Sequence, residues 1–287
     1  MGMPNAYKVA NEMLKDRLDE RNMSDDYEKI INSDIIIVSG TYDHIQNVFS
    51  QLDMKFALVT PNKFRYIKLN PEQIIFINCP GNIGSNGIRK VKKFVHDGGF
   101  VFTTDWALRN IVEPAFPNYI RYNNRSTGDE VVRVEILSDN DPFLQTLIDG
   151  NDDPQWWLEG ASYPIQIINK QEVDILVKSK EVEEKYGESA IFVTFQYGKG
   201  RVYHMISHFY LQRAETRTGR HAYSGSDYLN EKLNMNDLKK NKYEYMVDDD
   251  TNLGEVEAAF SSSALMNKVL WDKKKQMENM ESYVKER

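Results

Sequence analysis

The feature that most constrains this chain is a rhythm in its first half. Short unbroken apolar runs alternate with stretches whose apolar residues recur at helical spacing. Ile35 to Val38 is the first run, and "KFALVTP", "QIIFINCPG" and "FVFTTDWALRN" follow it. Between the first two, Ile45, Val48, Phe49 and Leu52 share one helical face. Before the last, Ile88, Val91, Phe94 and Val95 do the same, and Gly98 closes that helix. Runs of four or five apolar residues are too short for buried helices. They also lack the alternation of a strand with one wet face, so they read as strands covered on both sides. Strands and helices in strict alternation build a mainly parallel sheet flanked by helices.

From about Arg133 the rhythm changes. "RVEILS", "PIQIIN", "VDILVKS", "AIFVTFQY" and "RVYHMISH" are closely spaced strands with little helix between them. Tyr197-Gly198-Lys199-Gly200 is the turn of a hairpin joining the last two. The expected fold class is therefore α/β, with a five- or six-stranded largely parallel core, an antiparallel β extension and a C-terminal helix. Three segments follow. Residues 1–32 form an N-terminal helical segment, read as a helix from Tyr7 to Arg21 with no structural weight on "MGMP". Residues 33–212 form the α/β domain. Residues 213–287 form a loop and a helical extension packed on the same domain, with Val256, Phe260, Leu265, Val269 and Leu270 as its buried stripe.

Composition narrows the function classes. The 287 residues are 41% hydrophobic and 28% charged, adequate for a core and a hydrated surface. A net charge of −7 argues against nucleic acid as a partner. No run approaches the roughly 18 apolar residues of a membrane span, and the N-terminus has no secretory core, so the expected location is cytoplasmic. The single cysteine cannot form an internal disulfide.

In parallel sheets ligands sit beyond the carboxyl ends of the strands, and the chemistry-bearing residues are sought there. Asp105 and Trp106 occupy an abrupt corner between strand and helix. Asp105 reads as a cap on the helix "WALRNIV", or as a ligand contact or catalytic carboxylate. Cys79 ends the third strand, as a small half-buried residue or a thiol nucleophile. Gly81, Asn82 and Gly84, in "PGNIGSNG", form a loop able to rim a pocket, without the ending of a phosphate-binding loop. Thr104 and Trp106 flank the corner.

His204 and His208 lie four apart on one strand, about 13 Å from each other and too far to share an ion. With five histidines and no histidine–cysteine cluster, no metal and no cofactor is expected, and Asp248 to Asp250 read as solvated charge. Arg213, Arg217, Arg220 and His221 follow the His208 strand. They are either an exposed basic loop or, through Arg213 and Arg217, a site for a small anionic ligand. Trp156 and Trp157, read as a loop pair, are core anchors rather than a stacking surface.

Four pieces together resemble the class I glutamine amidotransferase-like superfamily, a flavodoxin-like α/β fold: "DIIIVSG", "IIFINCPG", "VKKFVHDGGFVFTTDWAL" and "YGKGRVYHMISHF". They span about Ser33 to Phe209. The superfamily's enzymes carry a cysteine at the corner within Gly-x-Cys-x-Gly, and here that pattern falls on Thr103, Thr104, Asp105, Trp106 and Ala107. The family's histidine falls on His208 and its following carboxylate on Tyr210. The resemblance thus implies the scaffold without the glutaminase machinery. Two functions remain open. One is a non-catalytic ligand-binding or assembly module, with the C-terminal helix as a docking surface for a protein partner. The other is a hydrolase or transferase acting on a small anionic or nucleotide-like substrate through Asp105 and His208.

Overall fold

In the computed structural model, twelve strands form in chain order among the described residues: β1 (Ile35–Val38), β2 (Ala57–Val59), β3 (Ile74–Ile77), β4 (Phe100–Thr104), β5 (Ile120–Tyr122), β6 (Glu130–Arg133), β7 (Glu135–Ile136), β8 (Gln155–Leu158), β9 (Ile165–Ile167), β10 (Val173–Lys178), β11 (Ala190–Tyr197) and β12 (Gly200–Met205). The structure describes residues 2–139, 141–148, 152–209, 213–233, 242–243, 246 and 251–285.

Eight strands make one sheet in the order β2-β1-β3-β4-β12-β11-β10-β7. From β2 to β12 every pairing is parallel. From β12 to β7 every pairing is antiparallel. The parallel part therefore has five strands, and the antiparallel extension continues the same sheet. β1, β3 and β4 are buried along their whole length, which is why β1 and β3 are unbroken apolar runs and β4 opens with one before its two buried threonines. The expected hairpin is present, with Tyr197 paired to Gly200. Two small sheets, β5-β9 and β6-β8, lie outside the main one.

The sequence reading needs four corrections. β12 ends at Met205, so His208 lies beyond the strand. The chain bends at Ile206 and Ser207, where the Ser207 hydroxyl donates to the Trp157 carbonyl at 2.8 Å. Trp156 and Trp157 sit in β8 rather than a loop, and both are buried core anchors as expected. The N-terminal helix runs Gly2–Glu20 and so includes most of "MGMP". Met3 packs against the core there, and Pro4 is tolerated in a first turn that needs no N–H partner.

The fourth correction concerns the final helix, Leu253–Lys285. The expected stripe is buried, but so is almost every other side chain up to Leu270, including Glu257, Ser261, Ser262, Ser263 and Asn267. The Ala- and Ser-rich stretch lets neighbours approach on every side. The N-terminal helix lies along it, with the Tyr7 hydroxyl 3.2 Å from Ser262 Oγ. The first and last segments of the chain thus share one core with the sheet. Surface left on this helix for a partner is confined to its distal turns, around the exposed Met280.

Candidate functional site

β3, β4 and β12 are parallel neighbours, so their carboxyl ends emerge side by side at the spacing of sheet strands, about 4.8 Å. Cys79 follows β3, Asp105 follows β4 and His208 follows β12. The topology therefore gathers three residues that are remote in sequence. One donor atom from each lies within 4.8 Å of the other two. His208 Nε2 is 3.5 Å from Asp105 Oδ2, and Cys79 Sγ is 3.9 Å from that same oxygen. Cys79 is 1% exposed, Asp105 3% and His208 3%.

Asp105 holds the corner with φ of 43°, a left-handed conformation that aspartate tolerates better than most side chains. Its amide donates to the Met205 carbonyl at 2.8 Å, which fixes the corner to β12. The capping reading is overturned. The carboxylate accepts from the Tyr163 amide at 2.9 Å and the Ser162 hydroxyl at 3.3 Å, and no side-chain cap serves the turn that starts at Leu108. The left-handed backbone turns the side chain away from the helix start and toward the 159–163 loop.

Cys79 is held on both sides. Its amide donates to Thr104 Oγ1 at 3.0 Å. Its carbonyl accepts from the amides of Thr41 and Tyr42 at 3.0 and 3.3 Å. Thr104 is thus a buried support for Cys79. Gly81, at φ 75°, packs where a Cβ would meet Ala107 and Ile111 at 2.9 Å. Asn82 is exposed on the same loop, whereas Gly84, also exposed, is the first residue of the helix Gly84–His96 rather than part of the loop.

His208 Nδ1 lies 2.8 Å from Glu159 Oε2. Burial opposes the charged ring, but the charge of Asp43 and hydrogen bonds to Asp105, Cys79 and Glu159 outweigh it and raise the His208 pKa well above the ordinary value. Burial pushes Asp105 up, against the pull of His208, Tyr163 and Ser162. With carboxylates on several sides, the shared proton rests on the imidazole. Burial also pushes the Cys79 thiol up, with His208 acting against it.

Aromatic rings pack together on the residues next to Asp105 in chain and in space, Trp106 and Tyr163. Trp106 Nε1 donates to the Ala161 carbonyl at 2.7 Å, and its ring stacks on Tyr163 with centroids 5.7 Å apart. Tyr42, 45% exposed, meets Trp106 edge-on at 5.1 Å, and Tyr122 stacks on Tyr163 at 4.0 Å. The exposed Arg109 guanidinium lies 5.8 Å from the Tyr122 ring centre.

Arg213 and Arg217 are engaged elsewhere. Arg213 stacks over Trp157 at 4.0 Å and faces Asp129 at 3.4 Å. Arg217 donates to both Glu181 oxygens at 2.7 Å. Arg220 pairs with Glu257 at 3.0 Å, and His221 lies 3.2 Å from Asp153. These pairs pin the loop to the β6-β8 side. His204 is buried in the core, its Nδ1 2.8 Å from Thr103 Oγ1. Tyr210 and the Asp248–Asp250 run lie outside the described residues. Sequence reasoning missed Asp43, Arg109, Glu159, Ser162 and Tyr163. Only Arg109 carried a signal, one helical turn past Asp105.

No protein-family model and no curated protein matches this chain. Solved structures do align. The GH42 β-galactosidase Gan42B of G. stearothermophilus is 14% identical over 71% of this chain and 30% of its own, at a TM-score of 0.41. A putative ThuA-like protein of Bacteroides uniformis is 16% identical over 61% of this chain and 82% of its own, at 0.44. A cytoplasmic protein of Salmonella typhimurium LT2 is 12% identical over 61% and 88%, at 0.43. The chain spans about a third of that β-galactosidase. Alignments at these TM-scores carry no argument about function. Among the described residues no helix is long and apolar enough to cross a membrane.

Proposed function

We propose that the cluster beyond β3, β4 and β12 is the active centre of a hydrolase or transferase acting on a small anionic or nucleotide-like substrate. The observation that carries this reading is His208, with one ring nitrogen 2.8 Å from Glu159 and the other 3.5 Å from Asp105. Burying several ionisable groups together costs stability, and such groups concentrate where chemistry is done. A non-glycine residue in the left-handed region at that same point adds local strain of the kind found at functional sites.

The roles follow from the geometry. Glu159 holds the imidazole orientation. His208, protonated, delivers a proton to a leaving group, and Asp105 favours the protonated ring before that transfer. Cys79 is a neutral thiol as it stands, because burial disfavours the thiolate a nucleophile requires. Arg109 and the rings of Tyr42, Trp106 and Tyr163 offer a cation and stacking faces at the rim.

The test uses the full chain with chromogenic phosphate and carboxylate esters and with nucleotides. Saturable turnover is expected, lost in His208→Gln and Asp105→Asn while both remain folded. Arg109→Ala should raise KM with kcat nearly kept. Turnover that survives both cluster variants, or none on any of these substrates, rejects the reading. A second reading, a non-catalytic ligand-binding or assembly module on an amidotransferase-like scaffold, is favoured by the closure of the cluster under Trp106. It requires saturable ligand or partner binding without turnover. In both readings no ammonia is released from glutamine.

A further inference from the structure

We propose that Cys79, Asp105 and His208 hold a divalent ion of the zinc class, with Glu159 orienting the His208 ring and the fourth position left open. This rests on the cluster being the reactive centre; with the ion bound His208 is a neutral ligand, and the proton-delivering imidazolium belongs to the ion-free chain.

The first argument is distance. Zinc takes sulfur at about 2.3 Å and nitrogen or oxygen at about 2.0–2.2 Å, so tetrahedral donors sit about 3.3–3.6 Å from one another. The nitrogen–oxygen separation here is 3.5 Å and the sulfur–oxygen separation 3.9 Å. All three donors lie within 4.8 Å of one another. Small side-chain movements bring them to an ion.

The second argument is what stands behind the ligands. A metal-bound histidine characteristically gives its other ring N–H to a carboxylate, which fixes the tautomer and aims the free nitrogen. His208 Nδ1 lies 2.8 Å from Glu159 Oε2, the separation such a contact needs once the ring turns to align its N–H, and Nε2 lies toward Asp105. Asp105 is anchored in turn by the Tyr163 amide and the Ser162 hydroxyl.

The third argument is charge. Asp105 and Glu159 face the ring, and Asp43 acts on it electrostatically. Asp43 is 1% exposed and its Oδ2 has no hydrogen-bond partner among the described residues. No lysine or arginine pairs with these three carboxylates among the described residues. A divalent cation supplies the missing positive charge. As it binds, Cys79 gives up its thiol proton and His208 the proton on Nε2, both to solvent, and the sulfur–metal and nitrogen–metal bonds form.

Donor type selects the ion. Thiolate with imidazole and carboxylate suits zinc or cobalt and is unsuited to magnesium or calcium, which take oxygen. Three protein ligands with one open position is the composition of a catalytic site. Sequence spacing concealed it, because His204 and His208 are not partners and the ligands come from three different strand ends.

The full chain, stripped with a chelator and dialysed, is titrated with Zn2+ and with Co2+. One equivalent is expected to bind and to raise Tm. Co2+ should give a thiolate-to-cobalt charge-transfer band, which only Cys79 can supply, since it is the single cysteine. Cys79→Ser should lose the band, and Glu159→Gln should weaken affinity about 10- to 100-fold. Circular dichroism checks that each variant is folded, and the band in the unmodified chain decides the matter without them. Cobalt binding with no thiolate band, or no binding, overturns the proposal. Turnover that survives full chelation yet is lost in Asp105→Asn overturns the metal and leaves the acid–base reading standing. A bound ion with the thiolate band and no turnover supports the metal and removes that reading.

Discussion

The Asp105 carboxylate faces the His208 imidazole at 3.5 Å, from the ends of two strands that pair side by side. One carboxylate thus serves four partners, since the Tyr163 amide, the Ser162 hydroxyl and the Cys79 thiol use it as well. Asp105→Ala should destabilise the chain by about 1–3 kcal/mol, because it strands buried donors. Asp105→Asn should cost less, since an amide oxygen still accepts and asparagine tolerates the left-handed backbone. Urea midpoints of the two variants measure the difference. Equal losses would mean that the acceptor contributes nothing and that the backbone conformation alone matters.

Trp106 follows Asp105 at the corner beside Cys79, and we expect its ring to shield the thiol. Its indole is tied to the Ala161 carbonyl and wedged between Tyr42 and Tyr163. Trp106→Ala removes the ring and the tie together. The rate at which a thiol reagent labels Cys79 should then rise severalfold, with little change in the far-ultraviolet circular dichroism. An unaltered rate would place the route to Cys79 elsewhere.

How much of this was legible follows from which interactions are local. The strands β1 and β3 announce themselves because burial on both faces leaves no polar residue in the run, and β4 does so through its first three residues before Thr103 and Thr104. Their carboxyl ends are fixed by the direction of the chain, so Cys79 and Asp105 could be placed at one sheet edge. The bend after Met205 was hidden, because it depends on a hydrogen bond from Ser207 to the distant Trp157 carbonyl. Glu159 and Tyr163 were hidden for the same reason, since their loop meets Asp105 only through tertiary folding. The arginine loop looked like a ligand site because its partners Glu181 and Glu257 lie far away in sequence. The final helix read as amphipathic because serines and a glutamate count as polar, while here they are buried against neighbouring helices.

Gly40 sets how closely the loop after β1 can approach β3. A Cβ there would lie 2.2 Å from the Cys79 carbonyl oxygen and 2.6 Å from the Asn78 Cβ. Gly40→Ala must push β3's end outward, and with it the backbone that presents the thiol. A loss of about 1–3 kcal/mol is expected for such overpacking. Thiol labelling of Cys79 should speed up in the same variant. A Gly40→Ala chain with the original midpoint and labelling rate would show that the loop gives way instead.

His204 makes stability depend on acid. It is fully buried, and burial lowers its pKa from 6.5 to about 3, with a hydrogen bond involving Thr103 acting against the shift. Unfolded, the ring takes a proton near its ordinary value, so between about 6.5 and 3 the unfolded chain binds more protons than the folded one. Stability contributed by this group is complete above that window and falls as pH falls through it. Glu257 acts in the opposite sense. Burial raises it from 4.5 to about 7, against the pull of the Asp153 amide and Arg220, so its contribution is complete below 4.5 and is lost as pH rises toward 7. The two slopes overlap with each other and with those of other shifted groups, Asp105 and His208 among them, so the unmodified chain reports only a total. His204→Gln removes the first and keeps a neutral polar side chain beside Thr103. Its unfolding free energy, measured by urea from pH 7 down to pH 4, should fall less steeply with acid than that of the unmodified chain. Parallel curves for the two proteins would mean that His204 is protonated in the folded state.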